Sequence, residues 1–184
     1  AYRELEVDAG GKPRTLKGMI DALASLPLEF SPGESWNYSV ATDVCGYLVE
    51  VISGQRFDDY LQANIFGPLG MVDTGFHVPA AKQSRLAANY SVSAAGTLRL
   101  ESTGGIAPLN LVDDPATSTY LKPPTYLSGG GGLVSTATDY FRFAQALCNE
   151  GEFEGTRIIG RKTLELMTSN HLPGGADLMH HALG

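Results

Sequence analysis

Residues 30–53 read FSPGESWNYSVATDVCGYLVEVIS, a turn, a short aromatic run and a helix, and they are the best-specified stretch of the chain. Ser31, Pro32 and Gly33 make the turn, because Pro fixes φ and Gly tolerates positive φ. Trp36 and Tyr38 then alternate with Ser35 and Asn37. Val40, Val44, Leu48 and Val51 or Ile52 recur at helical spacing up to Gly54, a natural residue for a helix C-terminus. Ser39 is positioned as an N-cap, since its hydroxyl can accept from a free N–H of the first turn. Tyr38 therefore stands just outside a rigid helix start. Two roles fit that position: a catalytic phenol aimed at a reacting group, where an error of about 1 Å costs roughly a hundredfold in rate, or a half-buried aromatic with a hydrogen-bonded hydroxyl.

The segment resembles the tyrosine motif of serine hydrolases with the beta-lactamase and penicillin-binding-protein fold, in particular the class C-like branch that includes family VIII carboxylesterases, D-aminopeptidases and related transferases. In that family a Tyr-x-Asn motif follows an F-x-P-G turn and faces the nucleophile of a Ser-x-x-Lys pair. The resemblance implies that Tyr38 takes and returns the nucleophile's proton. Val40 stands where penicillin-recognising members carry Asn, and an aliphatic side chain cannot hydrogen-bond an amide. That departure tilts the implied substrate toward a small carboxylic ester, ahead of a beta-lactam or a D-amino-acid peptide.

The chain has 184 residues, 43% of them hydrophobic and 18% charged, which is an ordinary composition for a single globular domain. No apolar run is long enough to span a membrane. A net charge of −7 with no Lys or Arg cluster argues against nucleic acid and anionic membranes as partners. Cys45 and Cys148 fall within expected helices beside apolar residues, so free, buried thiols are expected, compatible with a cytoplasmic location. The chain opens at Ala1 in the manner of a strand, with Tyr2, Leu5 and Val7 before a Gly10–Gly11 turn, and an N-terminally incomplete protein is expected.

Upstream of the opening motif, Leu16, Met19, Ile20, Leu23 and Leu26 form one apolar stripe, with Thr15 as N-cap and Pro27 as terminator. Downstream, Phe57, Tyr60, Leu61 and Ile65 begin a third helix that Gly67, Pro68 and Gly70 stop. The phrase IFGPLGMVDTGF, residues 65–76, also resembles the same family, and physically it is a pair of tight turns with Leu69 and Met71 as core plugs. Residues 15–76 thus form a helical part. Residues 77–127 form an irregular part, with short alternating pieces at 86–92 and 97–100, and long connections of this kind are commonly functional. In the resembled family the matching insert lines the substrate cleft, which makes Tyr90, Tyr120 and Tyr126 candidate pocket walls; local aromatic packing is the alternative for each. Residues 128–184 begin with SGGGGLVS, whose four glycines suggest close backbone approach or positive φ. A phosphate loop is a poor fit, because no G-x-x-x-x-G-K-[ST] is present. Thr136 with Asp139 resembles a capping box ahead of a helix to about Asn149. A small hairpin is expected over 150–159 and a last helix over 160–169 carrying Leu164 and Met167.

The remaining chemistry is sparse. His77, His171, His180 and His181 do not form a metal-ligand pattern, and no metal or cofactor is expected. The pairs Asp58–Asp59 and Asp113–Asp114 read as surface or turn residues, and no G-x-S-x-G elbow is present. No serine is followed three residues later by lysine; Thr119 with Lys122 is the nearest match. By resemblance the Ser-x-x-Lys pair lies before Ala1, and the strand lining the far side of the cleft lies after Gly184.

The expected architecture is α+β and beta-lactamase/transpeptidase-like: one partial domain over 1–184, chiefly its helical subdomain, with the central antiparallel sheet largely absent. The expected function is part of a serine hydrolase working through an acyl-enzyme ester, inactive without its nucleophile because an isolated phenol, with an ordinary pKa of about 10, is a poor nucleophile at pH 7. Faces that would pack on the sheet imply dimerisation or segment exchange. A non-catalytic binding module built on the same helices is the rival reading.

Overall fold

The computed structural model describes residues 15–92 and 109–178. The expected strand at 2–7, the piece at 97–100 and the His180–His181 pair lie outside them. Two compact units are present: residues 1–76 with 125–184, and residues 77–124.

In the larger unit, helix α1 (Leu16–Leu23) starts where its sequence indicates, with the Thr15 hydroxyl accepting from the Gly18 N–H at 3.1 Å. Its apolar stripe places Leu16 and the fully buried Met19 in a cluster with Phe76 and Leu127. Helix α2 (Ala41–Ser53) ends at Gly54, whose φ of 69° is the left-handed turn foreseen there. Its start lies slightly later than expected. Val40 occupies the cap position, and Ser39 Oγ accepts from the Ala41 N–H at 3.2 Å, so the serine acts from one residue further out.

The burial of α2 departs from its apolar periodicity. The residues it buries are Asp43 and Gly46, whereas Leu48 and Val51 are open and Ile52 is 83% exposed. Packing against the next helix, α3 (Phe57–Leu61), explains this choice. The Phe57 ring packs against Gly46, where an added Cβ would lie 3.2 Å from its Cε1. Phe57 in turn meets Phe76 in a tilted aromatic pair with centroids 5.7 Å apart.

A π-helical turn, Gln62–Phe66, follows α3 directly. It feeds the 65–76 phrase, in which Phe66, Leu69 and Met71 are buried with Ala146 in a second cluster, the plug role expected of Leu69 and Met71. Helix α4 (Ala137–Cys148) is capped by Thr136, whose hydroxyl accepts from the Asp139 N–H at 3.2 Å. Strands β3 (Glu152–Phe153) and β4 (Thr156–Arg157) form the short hairpin, and α5 (Arg161–Met167) buries Leu164 while Met167 stays exposed. The two cysteines correct the sequence-based expectation: Cys45 and Cys148 are free, but both are exposed, because each sits on the outer side of its helix.

At the start of α3, Arg56 grips Asp58 with two bonds of 3.0 and 2.9 Å, and the guanidinium holds the Asp58 carboxyl below the usual carboxylate range. A depressed carboxyl pKa stabilises the fold above the unfolded-state value near 3.9 and ceases to do so as pH falls through the folded value. Arg56 is largely exposed, which limits the pair to less than about 1 kcal/mol. Arg56→Gln is expected to lower stability by less than about 1 kcal/mol at pH 7, with the difference fading in denaturation curves as pH falls through the depressed folded-state value.

The smaller unit holds strand β1 (Asn89–Val92) paired antiparallel with β2 (Leu109–Asp113). Tyr90 opposes Leu111, and Asn89 opposes Asp113, so Val112 is the extra residue of a bulge. A 3-10 turn at Thr119–Leu121 is tied back by the Val78 N–H to the Tyr120 carbonyl at 2.8 Å, and by Gln83 Nε2 to the Leu121 carbonyl at 3.1 Å. The strands described form two short antiparallel pairs, and isolated bridges occur at Trp36 and between Gly75 and Val134. No helix among them is long and apolar enough to cross a membrane.

Candidate active site

Among the described residues of the larger unit, Tyr38 is the most exposed large aromatic at 86%, and it precedes α2 by three residues. Three attachments fix the backbone that carries it. The Ser39 hydroxyl holds the first N–H of α2. The half-buried Val40 side chain packs inward on the Leu16, Met19, Phe76 and Leu127 cluster. The buried Asp43 carboxylate accepts from Ser128 Oγ at 2.7 Å and from the Gly130 N–H at 3.4 Å.

The glycine run 128–132 is the counterpart of this anchor. Of the two reasons weighed for its glycines, close approach is the operative one at three positions, and none of the four has positive φ. A side chain at Gly129 would run into the Thr42 carbonyl, one at Gly130 would crowd Thr42 Oγ1 and Asp43, and one at Gly132 would meet Phe76. Ser128 Oγ also accepts from the N–H groups of Gly130 and Gly131, both at 3.2 Å, so the run folds around the hydroxyl that Asp43 holds.

A second tie braces the same region. Asp139 is buried and accepts from the Asp73 N–H at 2.7 Å and from Thr74 Oγ1 at 2.9 Å, while Thr74 Oγ1 lies 2.8 Å from Ser135 Oγ. The capping box read from Thr136 and Asp139 is thus half formed. The threonine caps the helix, and the aspartate reaches the 65–76 phrase across the fold. The Gly75–Val134 bridge lies beside it, with bonds of 3.1 and 2.9 Å.

Of the other candidate residues, Tyr126 shares the first core cluster with Val40 and is half-buried there. Tyr90 and Tyr120 belong to the smaller unit, Tyr90 exposed on β1 and Tyr120 half-buried in the 3-10 turn. Asp43, Ser128 and Asp139 did not stand out in the sequence as site residues. The signal available for Asp43 was a lone carboxylate among apolar residues of one helix, and for Ser128 its place at the head of the glycines. Among the described residues no cluster of His, Cys, Asp and Glu is arranged to hold a metal.

A helical unit with small antiparallel sheets, a tyrosine at a helix start and a glycine run locked to that helix defines the α+β, beta-lactamase/transpeptidase-like class. The family model named Beta-lactamase matches residues 2–180, and the chain belongs to that family. It is 35% identical over 153 residues to Protein Rv1367c of Mycobacterium tuberculosis, covering 83% of this chain and 35% of that protein. It is 36% identical over 129 residues to Esterase EstB of Burkholderia gladioli, covering 68% of this chain and 32% of the esterase. Among solved structures, EstCE1, described as a hydrolase with promiscuous acyltransferase activity, superposes with a TM-score of 0.68 at 27% identity, covering 90% of this chain and 43% of that one. The chain spans about a third of the length of these curated relatives. Its relatives include an esterase and a protein described as a putative penicillin-binding protein.

Proposed function

We propose that this chain is the tyrosine-bearing part of a serine hydrolase that cleaves carboxylic esters by acyl transfer. The observation that carries the reading is Tyr38, held open at the rim of an anchored helix start. In the reaction, a serine hydroxyl attacks the ester carbonyl while its proton is carried away by Tyr38 Oη together with the lysine beside the nucleophile. The tetrahedral intermediate collapses with return of that proton to the departing alkoxide, leaving an acyl-serine that water hydrolyses. Ester substrates are favoured over amides because Val40 offers no hydrogen bond to an amide group. The relationship to Esterase EstB supports the same choice. Tyr126, half-buried in the same cluster as Val40, supplies apolar surface suited to an acyl or alcohol group.

None of the serines in these 184 residues has a lysine three positions on, so the nucleophile pair is assigned to sequence flanking them in the same open reading frame. The purified 184-residue chain is expected to leave p-nitrophenyl butyrate intact and to take up no fluorophosphonate probe. The product of the complete open reading frame is expected to do both, with the label on a serine of a Ser-x-x-Lys. Labelling of a specific serine within residues 1–184, or no Ser-x-x-Lys in the frame, would overturn the reading.

A further inference from the structure

We infer that Asp43 is a positioning residue for Tyr38, acting through Ser128 and the first turn of α2; the inference rests on the catalytic reading of Tyr38 given above. Asp43 is a buried carboxylate on a helix whose Leu48, Val51 and Ile52 are left in the open. An interior place given to a carboxylate and withheld from three aliphatic residues needs a return, since burying a charge without partners is costly. The return is a tie 85 residues long in sequence, from Asp43 Oδ1 to Ser128 Oγ at 2.7 Å.

That tie is placed to control one thing. Ser128 organises the Gly130 and Gly131 N–H groups, and Gly129 lies so close to the Thr42 carbonyl that only a glycine fits. The first turn of α2 and residues 128–130 therefore form one rigid body, joined by a hydrogen bond on one side and by backbone contact on the other. Tyr38 leaves that body through only two residues, Ser39 and Val40, each itself attached. Rotation or sliding of the α2 start is consequently transmitted to the phenol. Releasing the tie shifts Tyr38 relative to its reaction partner without removing any group that holds the substrate, so the loss falls on kcat.

The test uses the product of the complete open reading frame with p-nitrophenyl butyrate. Asp43→Ala is expected to lower kcat about 10- to 100-fold, the cost of displacing a reacting group by up to about 1 Å, with KM unchanged within about twofold. Asp43→Asn, which keeps an oxygen to accept from Ser128, is expected to recover most of that loss. Ser128→Ala removes the same bond from the other partner and carries the test if Asp43→Ala fails to fold. Leu164→Ala, a truncation in the buried face of α5 that leaves the tie intact, is expected to lower the melting temperature and leave kcat unchanged. The inference is overturned if Asp43→Ala and Ser128→Ala both keep kcat within twofold while Tyr38→Phe does not, or if Leu164→Ala loses as much kcat as Asp43→Ala. Full activity of Tyr38→Phe would instead remove the reading of Tyr38 itself.

Discussion

Replacing Tyr38 by Phe is expected to lower kcat/KM of the complete hydrolase toward p-nitrophenyl butyrate by about 10²- to 10⁴-fold, the usual contribution of a positioned proton-transfer group. The substitution deletes one oxygen and keeps the ring. Because the side chain is 86% exposed, its effect on stability should stay within about 0.5 kcal/mol. Activity and stability therefore separate cleanly at this position, as they rarely do for a residue that serves the core. The fluorophosphonate probe adds a second readout: labelling of the nucleophile should slow along with hydrolysis, since both begin with removal of the serine proton. A variant that hydrolyses slowly but labels at the normal rate would place Tyr38 in leaving-group protonation or deacylation only.

The second large effect is expected at Asp139. Its carboxylate accepts from the Asp73 N–H and from the Thr74 hydroxyl while buried, and it sits in the first turn of α4, where negative charge is favoured by the helix dipole. Hydrogen bonds to charged groups contribute about 1.5–3 kcal/mol each. Asp139→Ala removes both and leaves the Asp73 N–H without this acceptor, so a loss of about 3–5 kcal/mol is expected in denaturant melts. Asp139→Asn keeps one acceptor oxygen at the same place and should lose roughly half as much. An alanine variant within about 1 kcal/mol of the parent would mean that the tie contributes little.

These two residues also show what could be read in the sequence. The place of Tyr38 just ahead of a helix was legible because its cues are local: a Pro-Gly turn before it, a serine after it and a left-handed glycine ending the helix; its proposed role rests on the family resemblance. Thr15, Thr136 and the 150–159 hairpin were legible for the same reason, since each depends on neighbours a few residues away, whereas Leu69 and Met71 were legible from their apolar character although their partner Ala146 is distant in sequence. Asp139 was visible as a residue but misread in role, because a capping box and a long-range tie present the same Thr-x-x-Asp spelling. Asp43 and Gly46 were not legible at all. Apolar periodicity assigned the buried face of α2 to Val40, Val44, Leu48 and Val51 or Ile52; Val40 does pack on the core, but only the arrival of Phe57 and the glycine run shows that the helix turns a carboxylate and a glycine inward. Cys45 and Cys148 followed the same error, being judged by their apolar neighbours in sequence rather than by the side of the helix that finds a partner.

Phe76 and Leu127 flank the smaller unit in sequence and meet in one core cluster. Whatever lies between them begins and ends at an apolar clasp within the larger unit. The entropy of closing such a loop grows only logarithmically, about 0.6 kcal/mol for each doubling of length. A change in the length of residues 77–124 is therefore expected to cost little in closure entropy, which melting curves of variants with a few residues inserted there would check.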